Sequence, residues 1–344
     1  MAGKGVLILK TMKRLIVLAC VCVLMLSFAG CGKVEVFREV AKVNDRVISK
    51  EEFVFYLEMV KQQMLAEANA PDVETFWDGE IDGVKASDAA KNKALEEMLR
   101  VEVACIKAEE KGLALSDAQI QSIRSSIKTN DRQQKEQINQ VKELTGLSDD
   151  QLIELEKKSA LASLYVNSLS AEDPALLSPS DEEVQAMYQQ EFVHVKHVLV
   201  KNTEADGSTS DEIKAKKKAV ADDVLAKAKA GANFDTLVKE YGEDPGMTEK
   251  PEGYTFTKGA MVPEFEAASY ALAVGGVSEL VESSYGWHII KKYALPTSGE
   301  EYETAIAAIK EELSADKFNA ILDGYKAEMN VKIHQNVIDG IAVK

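Results

Sequence analysis

Cysteine and aromatic side chains are scarce in this 344-residue chain. Three of the four cysteines lie within the first 31 residues, which leaves only Cys105 for the rest of the chain. One cysteine cannot form a disulfide within a chain, so the class of small disulfide-stabilised domains is excluded. Cys105 lies on an apolar helical stripe, which predicts a buried core side chain and not a reactive thiol. Aromatic residues make up 6% of the sequence, which favours helices packed through Ala, Leu, Val and Met.

Positive charge is outnumbered, with 41 Lys and Arg against 57 Asp and Glu and a net charge of −16. Residues 1–30 hold four of the basic residues and no acidic one, so the remainder has 37 basic and 57 acidic side chains and a net charge of −20. Nucleic acids and anionic lipids both attract positive charge, so we expect no nucleic-acid partner and no direct adhesion to anionic lipid. An acidic surface is compatible with basic or unfolded polypeptides.

The apolar run 15–26 is too short to cross a bilayer, because a spanning helix needs about 20 residues. Lys10, Lys13 and Arg14 closely precede the run, and Ser27-Phe28-Ala29-Gly30-Cys31 follows it. A basic segment, a short apolar segment and small residues before a cleavage site are typical of a secretory signal. Translation from Met12 would leave this signal complete, so Met1 and Met12 both remain open as the start.

The Ala-Gly-Cys ending of this segment resembles the lipobox of bacterial lipoproteins. The resemblance implies that residues 1–30 are a signal peptide and that Cys31 is lipidated, with palmitate among the acyl groups. The mature chain would then be anchored by lipid to the extracytoplasmic face of the cell membrane. An ordinary cleaved signal and a hydrophobic anchor are the alternatives.

Capping boxes divide the next part of the chain into about five helices, because Ser followed three residues later by Glu or Gln marks a helix start. These boxes occur at Ser49/Glu52, Ser116/Gln119, Ser148/Gln151 and Ser180/Glu183. A strand–turn–strand pattern around Asn44-Asp45 precedes them. Residues 128–137 contain no apolar side chain, which indicates either an exposed arm or a break in the helix.

The C-terminal segment predicts a helix over residues 300–329 and a strand from Val331. It has too little apolar surface for a core of its own, so we expect it to fold back onto the N-terminal helices.

Glycine and proline concentrate between residues 234 and 291, where short apolar runs alternate with turns. This punctuation predicts a compact domain of short strands and helices. The stretch contains no phosphate loop, metal cluster or nucleophile elbow. Its motifs are, in order, Phe234-Asp-Thr-Leu-Val, Gly259-Ala-Met-Val-Pro-Glu-Phe-Glu, Val277-Ser-Glu and Gly286-Trp-His-Ile-Ile, with Val195-Lys-His-Val-Leu-Val-Lys upstream.

This ordered set of motifs resembles the parvulin-type peptidyl-prolyl cis/trans isomerase domain, over residues 192–296. The whole layout is similar to the PrsA-type foldase lipoproteins and, more distantly, to the SurA-type chaperones. The resemblance implies an α+β protein: a helical chaperone domain formed by residues 31–178 and 297–344, with the parvulin-like domain, a small antiparallel sheet flanked by helices, inserted between them.

Rotation about an X-Pro bond faces a barrier of about 18–20 kcal/mol and breaks no bond, so the reaction requires no cofactor and no metal. The resemblance implies that Met261, Phe265, Tyr254 and Phe256 bind the substrate, with Met261 and Phe265 against the proline ring. It implies catalytic roles for His197, Asp244, His288 and Ser283, in which the two histidines orient the site and transfer no proton to substrate.

One departure from the parvulin pattern lies at Gly253, where most relatives have a leucine that lines the pocket. Tyr254 would fill that wall, or the pocket would be looser and catalysis less efficient.

The resemblance therefore implies a membrane-anchored isomerase and chaperone whose partners are unfolded exported polypeptides with X-Pro bonds. The alternative is a holdase chaperone with a weak or inactive parvulin module. A solute-binding lipoprotein would fit the anchor and the size, but it predicts repeated strand–helix units, which the sequence lacks. Monomer and homodimer both remain open.

Overall fold

The computed structural model describes residues 39–68 and 73–343. The predicted signal peptide and the lipidation site at Cys31 lie outside these residues. The chain divides into two compact units, which we call the isomerase unit, residues Ser180–Ile309, and the helical unit, the described residues on either side of it.

The helical unit combines a bundle with two small sheets. Before the isomerase unit its elements are β1 (Glu39–Val43), β2 (Arg46–Ser49), α1 (Lys50–Ala68), α2 (Val73–Asp78), β3 (Glu80–Ile81), β4 (Val84–Lys85), α3 (Ala86–Glu110), α4 (Asp117–Ile127), α5 (Arg132–Thr145), α6 (Asp149–Glu172) and α7 (Pro174–Leu177). The elements after the isomerase unit are α13 (Glu300–Glu328), β9 (Val331–Ile333) and α14 (Gln335–Asp339). The first ten residues of α13 belong to the isomerase unit, which also contains α8 to α12.

The two halves of the helical unit share one sheet and one core. β1 pairs antiparallel with β2 on one side and with β9 on the other, so the C-terminal strand completes the N-terminal hairpin. Asn44, with φ of 53°, makes the turn between β1 and β2. Phe318 and Leu322 of α13 belong to the same buried cluster as Phe53 of α1 and Met98 of α3. The predicted return of the C-terminal segment onto the N-terminal helices is thereby confirmed.

The polar stretch at residues 128–137 contains a break between two helices. α4 ends at Ile127, and α5 begins after Asp131, whose side chain accepts a hydrogen bond from the backbone N–H of Gln134 at 2.9 Å. Of the two interpretations of this stretch, the helix break describes the structure.

A buried ion network crosses the core of the helical unit. The Lys158 ammonium on α6 lies 2.8 Å from carboxylate oxygens of both Glu52 and Glu102. Arg46 of β2 also approaches Glu102, at 3.1 Å. Nearby, the Cys105 thiol is buried and donates to the carbonyl oxygen of Lys158, and burial raises the pKa of this thiol to about 12. Cys105 is therefore a core side chain, as its helical stripe predicts.

The isomerase unit is a four-stranded antiparallel sheet with helices on both faces. Its elements are α8 (Asp181–Glu191), β5 (Phe192–Lys201), α9 (Asp211–Lys229), α10 (Phe234–Tyr241), α11 (Pro245–Glu249), β6 (Tyr254–Thr257), α12 (Pro263–Ala271), β7 (Val281–Ser283) and β8 (Gly286–Tyr293). The strand order is β6-β5-β8-β7, with the two longest strands at the centre. Both units together confirm the predicted α+β class with a helical domain and an inserted sheet domain.

Candidate active site

The central strands of the isomerase unit present different side chains on their two faces. Along β5 the even positions Val198 and Val200 pack with α9 and α10, while Val193 and Val195 belong to a second cluster with Phe265 of α12. His197 shares the parity of Val195 and therefore lies on the face of α12. His288 of β8 lies on this face too, because its ring contacts Phe265, whereas the neighbouring Trp287 packs on the opposite face. The sheet thus brings both histidines together under α12.

Four side chains form a continuous hydrogen-bonded chain on this face. Asp244 Oδ2 lies 2.8 Å from His197 Nε2, and His197 Nδ1 lies 3.1 Å from His288 Nδ1. His288 Nε2 in turn lies 2.7 Å from the Ser283 hydroxyl. The two imidazole rings are nearly parallel, with 15° between their planes. Both histidines and Ser283 are buried, so the two links between these three side chains are shielded from competing water, while Asp244 is half-buried.

Asp244 is held from three sides as the N-cap of α11. Its Oδ1 accepts a hydrogen bond from the backbone N–H of Gly246 at 3.1 Å, and its Oδ2 accepts from the Tyr254 hydroxyl at 2.7 Å as well as facing His197. These hydrogen bonds, led by the one with His197, hold the pKa of the Asp244 carboxyl well below its usual range. The carboxylate is therefore ionised at neutral pH.

His288, the member of the chain next to Ser283, is uncharged at neutral pH. Burial, together with the neighbouring His197, lowers the pKa of His288 to about 4. The surroundings of Asp244 thus stabilise a charged side chain, whereas those of His288 disfavour one. Such a constellation orients dipoles over the face of the sheet without placing a reactive nucleophile there.

An apolar floor adjoins the two histidines. The Phe265 ring lies with its centroid 5.0 Å from that of His197 and 5.3 Å from that of His288, both in edge-on contacts. Phe256 of β6 lies beside Phe265 at 6.0 Å, and the half-buried Met261 packs against the same cluster. Apolar and aromatic side chains of this kind can bind a small apolar ring such as that of proline.

The structure therefore brings together all eight side chains to which the sequence assigns a role within the isomerase unit. Tyr254 differs in what it does, because its hydroxyl binds Asp244 and its ring is not simply part of an apolar wall. Sequence reasoning missed this contact and the backbone N–H of Tyr285, which donates to the Ser283 hydroxyl at 3.2 Å. The departure from the parvulin pattern at Gly253, next to Tyr254 in the sequence, is the signal that points to this place.

Gly253 lies close to the backbone of β5. Its φ of +110° suits glycine, and a Cβ on it would lie 2.6 Å from the carbonyl oxygen of Val195. A side chain at this position would point at the backbone of β5. The looser pocket and the less efficient catalysis stay predictions.

Two family models match the chain. The SurA-like N-terminal domain matches residues 7–165, and the PPIC-type PPIase domain matches residues 183–294. The foldase protein PrsA of a Geobacillus species is 30% identical over 212 residues, which cover 60% of this chain and 69% of the relative. The foldase protein PrsA of Caldanaerobacter subterraneus subsp. tengcongensis is 26% identical over 289 residues, covering 82% of this chain and 81% of the relative.

Among solved structures, the peptidylprolyl isomerase PrsA from Bacillus cereus is similar, with 24% sequence identity and a TM-score of 0.32 over 76% of this chain and 89% of that one. The fold, the histidine-centred site and the PPIC-type match define a parvulin-type peptidyl-prolyl cis/trans isomerase. The chain belongs to the PrsA foldase family. Both the predicted family and the predicted enzyme class are confirmed.

Proposed function

We propose that this protein is a lipid-anchored, extracytoplasmic foldase that accelerates rotation about X-Pro bonds in exported polypeptides. The observation that carries this proposal is the continuous hydrogen-bonded chain from Asp244 to Ser283, which lies beside the aromatic ring of Phe265. An isomerase needs such a combination of apolar support and fixed polar groups.

The proposed mechanism uses binding alone. Phe265, Phe256 and Met261 hold the proline ring and keep water away, which favours the twisted imide because the twist removes its resonance and part of its polarity. The ionised Asp244 and the neutral His288 fix the orientation of the polar chain before substrate arrives, so no reorganisation is required during rotation. His197 lies between Asp244 and His288, and Ser283 ends the chain beyond His288.

A serine beside a histidine and an aspartate also invites comparison with acyl-transfer enzymes. Ser283 is buried, and it is separated from Asp244 by two imidazole rings instead of one. Its oxygen already accepts the N–H of Tyr285. Direct attack on a substrate carbonyl would require breaking these contacts, so we favour rotation over cleavage.

We further propose that the helical unit holds segments of the client polypeptide. A cavity of about 430 Å³ opens within this unit, and five apolar side chains, three serine hydroxyls, Glu311 and Asn319 line it. Its walls include Val166 and Ser170 of α6, Leu177 of α7, and Ala315 and Phe318 of α13. This cavity is the observation that supports chaperone activity alongside isomerisation, and it would also serve a holdase whose parvulin module is weak.

Anchoring through Cys31 is supported by the lipobox-like sequence. No helix within residues 39–68 and 73–343 is long and apolar enough to cross a membrane. Metabolic labelling with a palmitate analogue, with Cys31→Ala as the control, tests the anchor, because only an acylated Cys31 would carry the label.

Isomerase activity is tested by exchange NMR of a short X-Pro peptide with the chain from Cys31 onward. We expect Phe265→Ala to lower kcat/KM by about 10- to 100-fold, which corresponds to about 1.4 to 2.8 kcal/mol of lost transition-state binding. The matched control is Phe234→Ala, which truncates an equally buried ring on the opposite face of the sheet.

The control should keep its rate in the folded fraction. Acceleration that survives Phe265→Ala would contradict the proposed pocket. A folded wild-type chain without any acceleration would leave only the holdase function.

A further inference from the structure

Tyr254 contributes a hydrogen bond to the site as well as the packing of its ring. Its hydroxyl donates to Asp244 Oδ2 at 2.7 Å, the same oxygen that faces His197 Nε2. Burial and the Asp244 carboxylate raise the pKa of Tyr254 well above its usual range, so the hydroxyl keeps its proton and remains a donor. The ring itself lies beside the imidazole of His197, with centroids 5.8 Å apart.

Two glycines make room for this contact. A Cβ on Gly246 would lie 2.0 Å from the Tyr254 oxygen, so only glycine fits opposite the hydroxyl. Gly253, with its positive φ, lets the chain pass close to β5, where Tyr254 pairs with Val195 in the sheet register. The hydroxyl position is thus fixed by backbone on both sides.

The contact between the two histidines permits only one proton between their Nδ1 atoms. In the neutral arrangement His288 Nδ1–H donates to His197 Nδ1, and His288 Nε2 accepts from the Ser283 hydroxyl. In the arrangement with one extra proton, His197 becomes an imidazolium beside Asp244, and His288 Nε2–H donates to Ser283 instead. The direction of every link between His197 and Ser283 therefore depends on how strongly Asp244 attracts a proton onto His197.

We propose that Tyr254 is a positioning residue of the isomerase site, whose hydroxyl satisfies Asp244 and thereby keeps the histidine chain in its neutral arrangement. This inference rests on the proposed isomerase function of the site. A hydroxyl that shares the carboxylate oxygen withdraws part of the negative charge that would otherwise favour the imidazolium. Ser283 then stays a donor to His288, and the face beside Phe265 stays uncharged, as an apolar ring requires.

The test is Tyr254→Phe in the chain from Cys31 onward, labelled with 15N in its histidines. The 15N shifts of both ring nitrogens report which of them carries a proton. Removing the hydroxyl should raise the pH at which the histidine pair takes up its extra proton by about one unit, the size expected for one hydrogen bond to a charged group. The acid limb of kcat/KM for an X-Pro peptide should move by the same amount.

Tyr241→Phe is the matched control, because it removes a tyrosine hydroxyl that binds Lys227 instead of Asp244. The Tyr241 ring packs on the opposite face of the sheet. It should leave both titrations unchanged. Gly246→Ala provides a second route to the same result, since its Cβ displaces the Tyr254 hydroxyl without altering the tyrosine. Histidine titrations that coincide in wild type, Tyr254→Phe and Gly246→Ala would overturn the inference.

The NMR titration is independent of turnover, so the two ideas fail separately. A wild-type chain that does not accelerate isomerisation, but whose histidines shift in Tyr254→Phe, would refute the proposed function and leave the positioning role of Tyr254 in place. A purely structural role would lower the stability of the variant without moving the titration, and this outcome also refutes the inference.

Discussion

Replacing Lys158 with methionine should destabilise the helical unit more than any exposed charge deletion. The ammonium contacts Glu52 and Glu102, whose side chains are 12% and 2% exposed. Breaking a buried ion pair costs about 3–5 kcal/mol because a charge is left without its partner. Arg46 still faces Glu102 after the substitution, and Lys158 is itself 25% exposed, so we expect about 2–3 kcal/mol here.

The assay is urea unfolding followed by tryptophan fluorescence. The chain has two tryptophans, both buried, Trp77 in the helical unit and Trp287 in the isomerase unit. In a Trp287→Phe background, Trp77 alone reports on the helical unit. With a slope of about 1–3 kcal/mol per molar urea, the midpoint should fall by about 0.7–3 M.

Lys157→Met is the matched control, because the neighbouring lysine pairs with Glu154, which is 63% exposed, and such pairs contribute about 0.2–1 kcal/mol. Adding Glu52→Gln to Lys158→Met should restore part of the loss by removing a buried charge. Equal midpoints for the Lys158 and Lys157 variants would refute the reasoning that this network stabilises the core.

The Lys158 variant should also depend on pH in a definite direction. Burial raises the pKa of Glu52 even with its partner present. Without Lys158 the pKa rises further, so the folded state binds a proton that the unfolded state has released, and stability falls as pH increases. The loss should therefore be larger at pH 8 than at pH 5.5.

Two further outcomes concern the isomerase unit, each read from Trp287 in a Trp77→Phe background. Gly253→Ala should lower the free energy of unfolding by about 2–4 kcal/mol, because the strain of a positive φ adds to the clash with Val195. Gly259→Ala, at a φ of +79° with open space around it, should lower it by about 1 kcal/mol. Equal losses in the two variants would disprove the clash. The pKa of His288 is lowered from 6.5 to about 4, so between these pH values the unfolded chain binds a proton that the folded chain does not. The free energy of unfolding should therefore rise by about 3 kcal/mol from pH 4 to 6.5. A His288→Gln variant whose free energy of unfolding has the same dependence on pH would contradict this assignment.

Much of the fold could be predicted because its signals are local. The capping boxes at Ser116, Ser148 and Ser180 form as reciprocal hydrogen bonds in the structure. The helix over residues 300–329 and the strand from Val331 follow from apolar spacing alone. The pairing of β9 with β1 could be expected only in outline, since nothing local in the sequence fixes a register between residues nearly 300 positions apart.

The sequence could predict which residues form the candidate site, but not which hydrogen bonds they make with one another. The alternation of β5 and β8 places His197 and His288 on one face, which sequence periodicity can indicate. Which ring nitrogen meets which partner depends on the stagger of two strands that pair across 91 residues. The Tyr254 contact could not be predicted for a further reason. It depends on Gly246, eight residues away at the start of α11, which is too small to exclude the hydroxyl.

The changes at Gly253 and Tyr254 are best understood together with Gly246. A tyrosine at 254 would clash with any side chain at 246, and its strand would not approach β5 closely without a residue that accepts a positive φ at 253. The departure from the parvulin pattern is therefore compensated within the structure and does not by itself indicate a damaged pocket.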